Sequence, residues 1–171
     1  MCRAPSRPSR RKRHGVAERP TRAVPQGPLL SPGFWLHHAA LEWRATLERN
    51  LRPLGLTPTQ FNLLASTGWL ARHGARPTQQ QAADMAGTDR MMASRVIRVL
   101  EERGMLRRHP DTADARAFRL ELTAAGRDLA SAAIRVAVET DEQIFGAHGD
   151  QLREHLRPIA AHRVPAERPT E

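Results

Sequence analysis

Tyrosine is absent from this 171-residue chain, and lysine and cysteine occur once each. With Cys2 as its one thiol the chain can form no internal disulfide, which suits a reducing cytosol and leaves the fold to its packed core. No apolar run approaches the roughly 20 residues a membrane helix needs. The positive N-terminus lacks the apolar centre of a secretory signal, so a cytoplasmic protein is expected. Also missing are a phosphate-cradling glycine loop, a metal-ligand motif, and a nucleophile with a sequence-linked base. The chain is therefore expected not to be an enzyme, with no cofactor, metal or catalytic residues. His148, His155 and His162 recur every seven residues, but no cysteine or carboxylate pattern accompanies them, and they read as a solvated face.

The charge that is present is unevenly spread. Residues 1–28 hold eight basic side chains (Arg3, Arg7, Arg10, Arg11, Lys12, Arg13, Arg19, Arg22) against Glu18, so the tail supplies +7 of the formal +9. The high isoelectric point therefore says little about the rest. Arginine makes up 26 of the 27 basic residues, a bias that reads as codon usage in a GC-rich bacterial genome, so arginine frequency alone argues nothing. The tail is rich in Arg, Pro and Ser and too poor in apolar side chains to offset the entropy of ordering, so disorder is expected for 1–28. It reads either as a basic arm adding phosphate contacts or as a plain solvated tail from a start codon set too far upstream.

Residues 78–123 organise the chain. Thr78 can cap a short helix, Gly87 can leave it in a left-handed conformation, and Thr88 or Asp89 can cap the next. In that second helix Met92, Val96, Val99 and Leu100 recur at helical spacing and are expected to face inward. Arg90, Met91, Ser94, Arg95 and Arg98 then lie outside. Gly104 ends the helix. Leu106–His109 and Ala117–Leu122 are strand-like, and the turn residues Pro110 to Asp114 join them. A tight helix pair followed by a hairpin is a helix-turn-helix with a β-wing, a build that sets its second helix in a DNA major groove.

The flanks are helical. Residues 33–51 carry an apolar stripe of Phe34, Leu36 or His37, Leu41, Ala45, Leu47 and Leu51, ended by Pro53 and Gly55. Thr57-Pro58 opens a mostly buried helix with Phe61, Leu63, Leu64, Trp69 and Leu70. Thr123 caps a long helix with a seam of Leu129, Ala132, Ala133, Val136 and Ile144. A last helix, from about Asp150 to Arg163, puts Leu152, Leu156 and Ile159 on one face. The expected fold is mainly α: a winged helix-turn-helix at about 56–122 with a two-stranded β-wing, inside a domain spanning 29–163. The terminal helices, 33–51 and 123–163, can bury their faces only against each other or a second copy, so they form a dimerisation region and a homodimer is expected. Residues 164–171 should fray.

In order and spacing, residues 33–163 resemble the MarR family of winged-helix regulators. The matching pieces are Leu54-Gly55-Leu56-Thr57-Pro58-Thr59-Gln60-Phe61, Gln80 to Glu101, Arg103-Gly104-Met105-Leu106-Arg107-Arg108, the wing His109 to Ala117, and Leu122-Thr123-Ala124-Ala125-Gly126. The resemblance implies a recognition helix at 89–103 and a wing pair in which Asp114 steadies Arg116 for the minor groove. Ala93 stands where such helices carry a branched apolar residue, and the wing has Ala113 and Ala115 around Asp114 in place of the usual first arginine.

The expected partners are a pseudo-palindromic double-stranded DNA operator, a second copy, and a small-molecule effector of unknown identity. DNA contact is assigned to Thr78, Gln79, Thr88, Arg90, Met91, Ser94, Arg95, Arg98, Asp114 and Arg116. Arg98 has a rival partner in Glu102. An effector pocket between dimer helices and lobe, as in family members, is assigned by rough location to Trp35, His38, Trp43, Trp69 and Arg72. The competing readings are a winged helix that binds protein without specific DNA binding, and a helical-bundle enzyme.

Overall fold

The computed structural model describes residues 27–74, 76–111 and 117–161. Among these residues six α-helices and a two-stranded sheet run α1 (Pro32–Leu51), α2 (Pro58–Arg72), α3 (Gln79–Met85), α4 (Arg90–Glu102), β1 (Leu106–Pro110), β2 (Phe118–Leu122), α5 (Ala124–Phe145) and α6 (Gly149–Ala160). The expected winged helix-turn-helix with its β-wing is present.

Helix starts follow local chemistry. Thr57 caps α2 and Thr78 caps α3, each in a reciprocal box with the glutamine three residues on, Gln60 and Gln81. Asp89, not Thr88, caps α4: its Oδ1 accepts from the Met91 and Met92 amides at 2.9 Å each. Gly87, at φ +65°, makes the turn between α3 and α4.

Two helices present a different face to the core from the one expected. In α4 the buried residues are Ala93, Ile97 and Leu100, with Val96 half-buried, whereas Met92 and Val99 are 44% and 40% exposed. In α5 they are Gly126, Ala130, Ala133 and Thr140, with Leu129, Ala132, Val136 and Ile144 only half-buried. In α5 small side chains occupy the contact line and let the helices approach closely, with larger apolar neighbours along its edges. In α4 Ala93 makes the close contact while Ile97 and Leu100 fill the core.

The core gathers Leu47, Leu51, Leu63, Leu64, Ile97, Leu100, Leu106 and Leu120, where the foot of α1, α2, α4 and the wing meet. β1 and β2 are antiparallel, with Leu106 opposite Leu122, Arg108 opposite Leu120 and Pro110 opposite Phe118. Leu106, Leu120 and Leu122 therefore share the inner face. Pro110, expected in the turn, ends the strand instead, and Asp111 closes the ladder by donating its N–H to the Ala117 carbonyl at 3.0 Å. β2 is also tied to the segment before α3: the Leu120 amide donates to the Pro77 carbonyl at 2.8 Å.

Helix α1 buries only Thr46, Leu47 and Leu51. Phe34 is half-buried, and Leu36 and Leu41 are exposed, so the upper half of the expected stripe is uncovered within one subunit. α1 is fastened to α5 by two polar contacts. Asn50 donates to Thr140 Oγ1 at 3.0 Å, and Trp43 Nε1 donates to Asp141 at 2.7 Å. α6 buries no residue; Leu152 and Leu156 are half-covered and Ile159 is exposed. Among the described residues no helix is long and apolar enough to cross a membrane.

Candidate nucleic-acid interface

Three elements open onto one concavity of about 730 Å³. The start of α3 contributes Thr78, Gln79 and Gln80, the first turns of α4 contribute Arg90, Met91 and Ser94, and the wing contributes Arg108, Ala117 and Phe118. Five of the expected DNA-contacting residues thus lie on a single surface: Thr78, Gln79, Arg90, Met91 and Ser94. Met91 is 70% exposed, an unusual placement for so apolar a side chain. Gln80 is engaged along its own helix, donating to Asp84 at 2.7 Å.

Arg95 and Arg98 are also exposed on α4 but outside that concavity, and Thr88 is half-buried just before the helix. Arg90, Arg95 and Arg98 make no ion pair among the described residues, and the rival Arg98–Glu102 pair does not form. Asp114 and Arg116 lie outside the described residues.

Other arginines are committed to bracing the wing. Arg119 Nε sits 2.7 Å from the buried Asp111 carboxylate, and its Nη1 donates to the Arg76 carbonyl at 2.7 Å. Arg76 pairs with Glu121 at 2.9 Å, and His109 Nε2 lies 2.9 Å from the same carboxylate.

Arg108 and Phe118 were not among the expected site residues. Arg108 Nε and Nη2 both hold Glu101 Oε2, at 2.7 and 2.5 Å, while the Arg108 amide donates to Glu101 Oε1 at 3.3 Å. The guanidinium carbon lies 5.6 Å from the Phe118 ring centre, a cation–π contact. The sequence did hold a signal. Arg108 follows Leu106 by two residues, so a strand that buries Leu106 turns Arg108 to the same side, toward the end of α4 and Glu101.

The Arg108 hydrogen bond holds the Glu101 carboxyl below its ordinary value of 4.5, partial burial opposes this, and the Arg108 and Arg98 charges add to it. A carboxylate whose pKa is lowered by folding stabilises the protein above its unfolded pKa, and that contribution fades as the pH falls through the lower folded value. Melting curves of wild type and Glu101→Gln are therefore expected to differ most above pH 4.5 and to converge in acid. A gap that persists unchanged in acid would deny the charge–charge origin.

The residues assigned to an effector pocket are spread over α1 (Trp35, His38, Trp43) and α2 (Trp69, Arg72). Trp35 Nε1 donates to the Leu29 carbonyl at 2.8 Å, His38 lies against Phe34 with ring centres 4.3 Å apart, Trp43 is bonded to Asp141, and Trp69 stacks on His73. Trp35, His38 and Trp69 are engaged within their own segments and Trp43 across to α5, while Arg72 borders a cavity. That cavity, of about 290 Å³, lies between α2, β2 and α5; Leu64, Gly68, Arg127 and Ile134 also line it.

A helix-turn-helix with an outward basic second helix and a wing beside it defines a winged-helix protein of the transcription-regulator class. The MarR family profile matches residues 54–117. The uncharacterized HTH-type transcriptional regulator YdcH of Bacillus subtilis (strain 168) is 36% identical over 121 residues, which cover 71% of this chain and 82% of that protein. The chain belongs to the MarR family of transcriptional regulators. Among solved structures, it resembles the M. tuberculosis transcriptional regulator MOSR in complex with DNA (26% identity, TM-score 0.62, 77% of this chain and 95% of that one). It also shares the fold of a MarR-family regulator from Rhodococcus sp. RHA1 (22% identity, TM-score 0.73, 82% of this chain and all of that one).

Proposed function

We propose that this protein is a dimeric, sequence-specific DNA-binding repressor released by a small-molecule effector. The observation that carries the reading is the exposed face of α4, where Arg90, Arg95 and Arg98 make no ion pair among the described residues and Arg90 shares a concavity with the wing. In this reading α4 enters a major groove. Ser94 and Arg95 reach bases or their adjacent phosphates, Arg90 reaches the backbone, and Met91 lies where an apolar side chain can meet a thymine methyl. Asp114 steadies Arg116 in the flanking minor groove, whose narrow A·T stretches concentrate negative potential. Thr78 and Gln79 offer a hydroxyl, an amide and backbone N–H groups to a phosphate.

The apolar surface left open supports a second copy. Leu29, Leu30, Trp35, Leu36 and Leu41 at the N-terminal side and Ile159 of α6 are each 47–66% exposed, a set too large for scattered surface residues. The 290 Å³ cavity between α2, β2 and α5 is the proposed effector seat, because it joins the lobe to a dimerisation helix. A ligand that fits one spacing of the two lobes better than the other shifts the population away from the DNA-binding form.

Sedimentation should show two subunits per particle, and titration should show one particle per inverted repeat with half-sites about one helical turn apart. A monomer at micromolar concentration, or salt-insensitive association with a protein partner in place of DNA, would defeat this reading.

A further inference from the structure

A phosphate strand has to cross the concavity described above. If α4 lies in a major groove and the wing in the neighbouring minor groove, the sugar–phosphate backbone dividing those grooves runs between the two elements. On the wing side the concavity is lined by Arg108 in the middle of β1 and by Ala117 and Phe118 at the start of β2. Arg108 is held on two sides. Glu101 takes the Nε and Nη2 edge, and the guanidinium carbon lies over the Phe118 ring. Nη1 has no partner among the described residues, and the side chain keeps 27% of its surface open. An arginine fixed in this way loses little rotamer freedom on gripping an oxyanion, whereas a solvated one must be ordered first.

We infer that Arg108 is a phosphate-holding residue, clamped by Glu101 and Phe118 so that its remaining edge meets the DNA strand between α4 and the wing. The inference rests on the DNA-binding reading above and adds a contact to it. The contact is to backbone, so it sets how the lobe sits on the duplex and carries no sequence information. Glu101 acts through Arg108 as a positioning residue.

Two substitutions that break the same ion pair separate a ligand from a brace. Duplex binding is titrated over a salt series with the full-length protein. Arg108→Gln is expected to flatten the slope of log K against log salt by about 0.9 per lost contact, hence roughly 1.8 for two subunits. It should weaken an operator and an unrelated duplex by the same factor. Glu101→Gln leaves the cation in place but loosens its clamp, so the slope should hold while binding weakens by less than with Arg108→Gln. Arg108→Lys, which keeps the charge if glutamine disturbs the packing, should retain the slope. If Arg108→Gln keeps the wild-type slope, or if both neutral variants weaken binding alike, Arg108 is only a brace and the inference falls. If wild type itself shows no salt-steep duplex binding, the DNA-binding reading fails, and the inference with it.

Discussion

Gly126→Ala will strongly destabilise this protein, although alanine is normally the better residue in a helix by about 1 kcal/mol. Gly126 is buried in the first turn of α5, and a Cβ there would overlap the Met105 carbonyl oxygen and press on the Met105 carbon atoms. What it meets is backbone, so no rotamer change can relieve the clash. The same carbonyl accepts the Thr123 amide at 3.1 Å and the Thr123 hydroxyl at 3.2 Å, and that hydroxyl also donates to Gly104 and accepts from Gly126. The knot joins the end of α4 to the start of α5, and a methyl group would pry it open. Overpacking typically costs about 1–3 kcal/mol. With a backbone wall, the loss should reach the top of that range or beyond, a large share of the roughly 5–15 kcal/mol that holds a domain folded. Urea denaturation of Gly74→Ala provides the control, because a Cβ there comes no nearer than 3.9 Å to any atom. Equal midpoints for the two variants would refute the argument.

Much of this architecture was legible because it is written in short-range chemistry. Thr57, Thr78 and Thr123 cap the helices assigned to them, and Gly55, Gly87 and Gly104 take the left-handed conformations that end turns. The rotation of α4 and α5 was not legible, since each carries two apolar lines one residue apart. A periodicity count does not choose between adjacent lines; in α4 the core takes Ala93, Ile97 and Leu100, and in α5 close helix packing favours Ala130 and Ala133. Ala93 resembled a gap in the core; it is fully buried, and Ile97 beside it supplies the branched side chain. The outer arginines of α4 could be assigned because a helix face follows from spacing alone. Arg108 was hidden because its partner, Glu101, sits across a turn between two elements, and only the register of β1 brings them together.

Arg95→Ala should weaken operator binding more than any other single change on the outer face of α4, and without a stability penalty. The side chain is exposed and makes no ion pair among the described residues, so folding loses little when it goes, within about 0.5 kcal/mol. A guanidinium that bonds guanine O6 and N7 together contributes roughly 1–3 kcal/mol of discrimination, and the proposed dimer would use it twice. Removing both copies then costs roughly 2–6 kcal/mol, about 30-fold to more than 10,000-fold in affinity at 1.4 kcal/mol per tenfold. On an unrelated duplex the loss should shrink to the share of the lost charge, so the ratio of specific to non-specific binding collapses. Arg95→Lys sharpens the test: it keeps the charge and gives up the planar fork, and should restore non-specific binding but little of the specificity. Arg116→Ala should behave differently, with a loss that depends on how A·T-rich the flanking minor groove is. Mobility shifts of the three variants, on operators differing only at the guanine or only in the flanks, would resolve the two modes. Undiminished operator binding by both alanine variants would remove α4 and the wing from the interface and leave the basic face without a role.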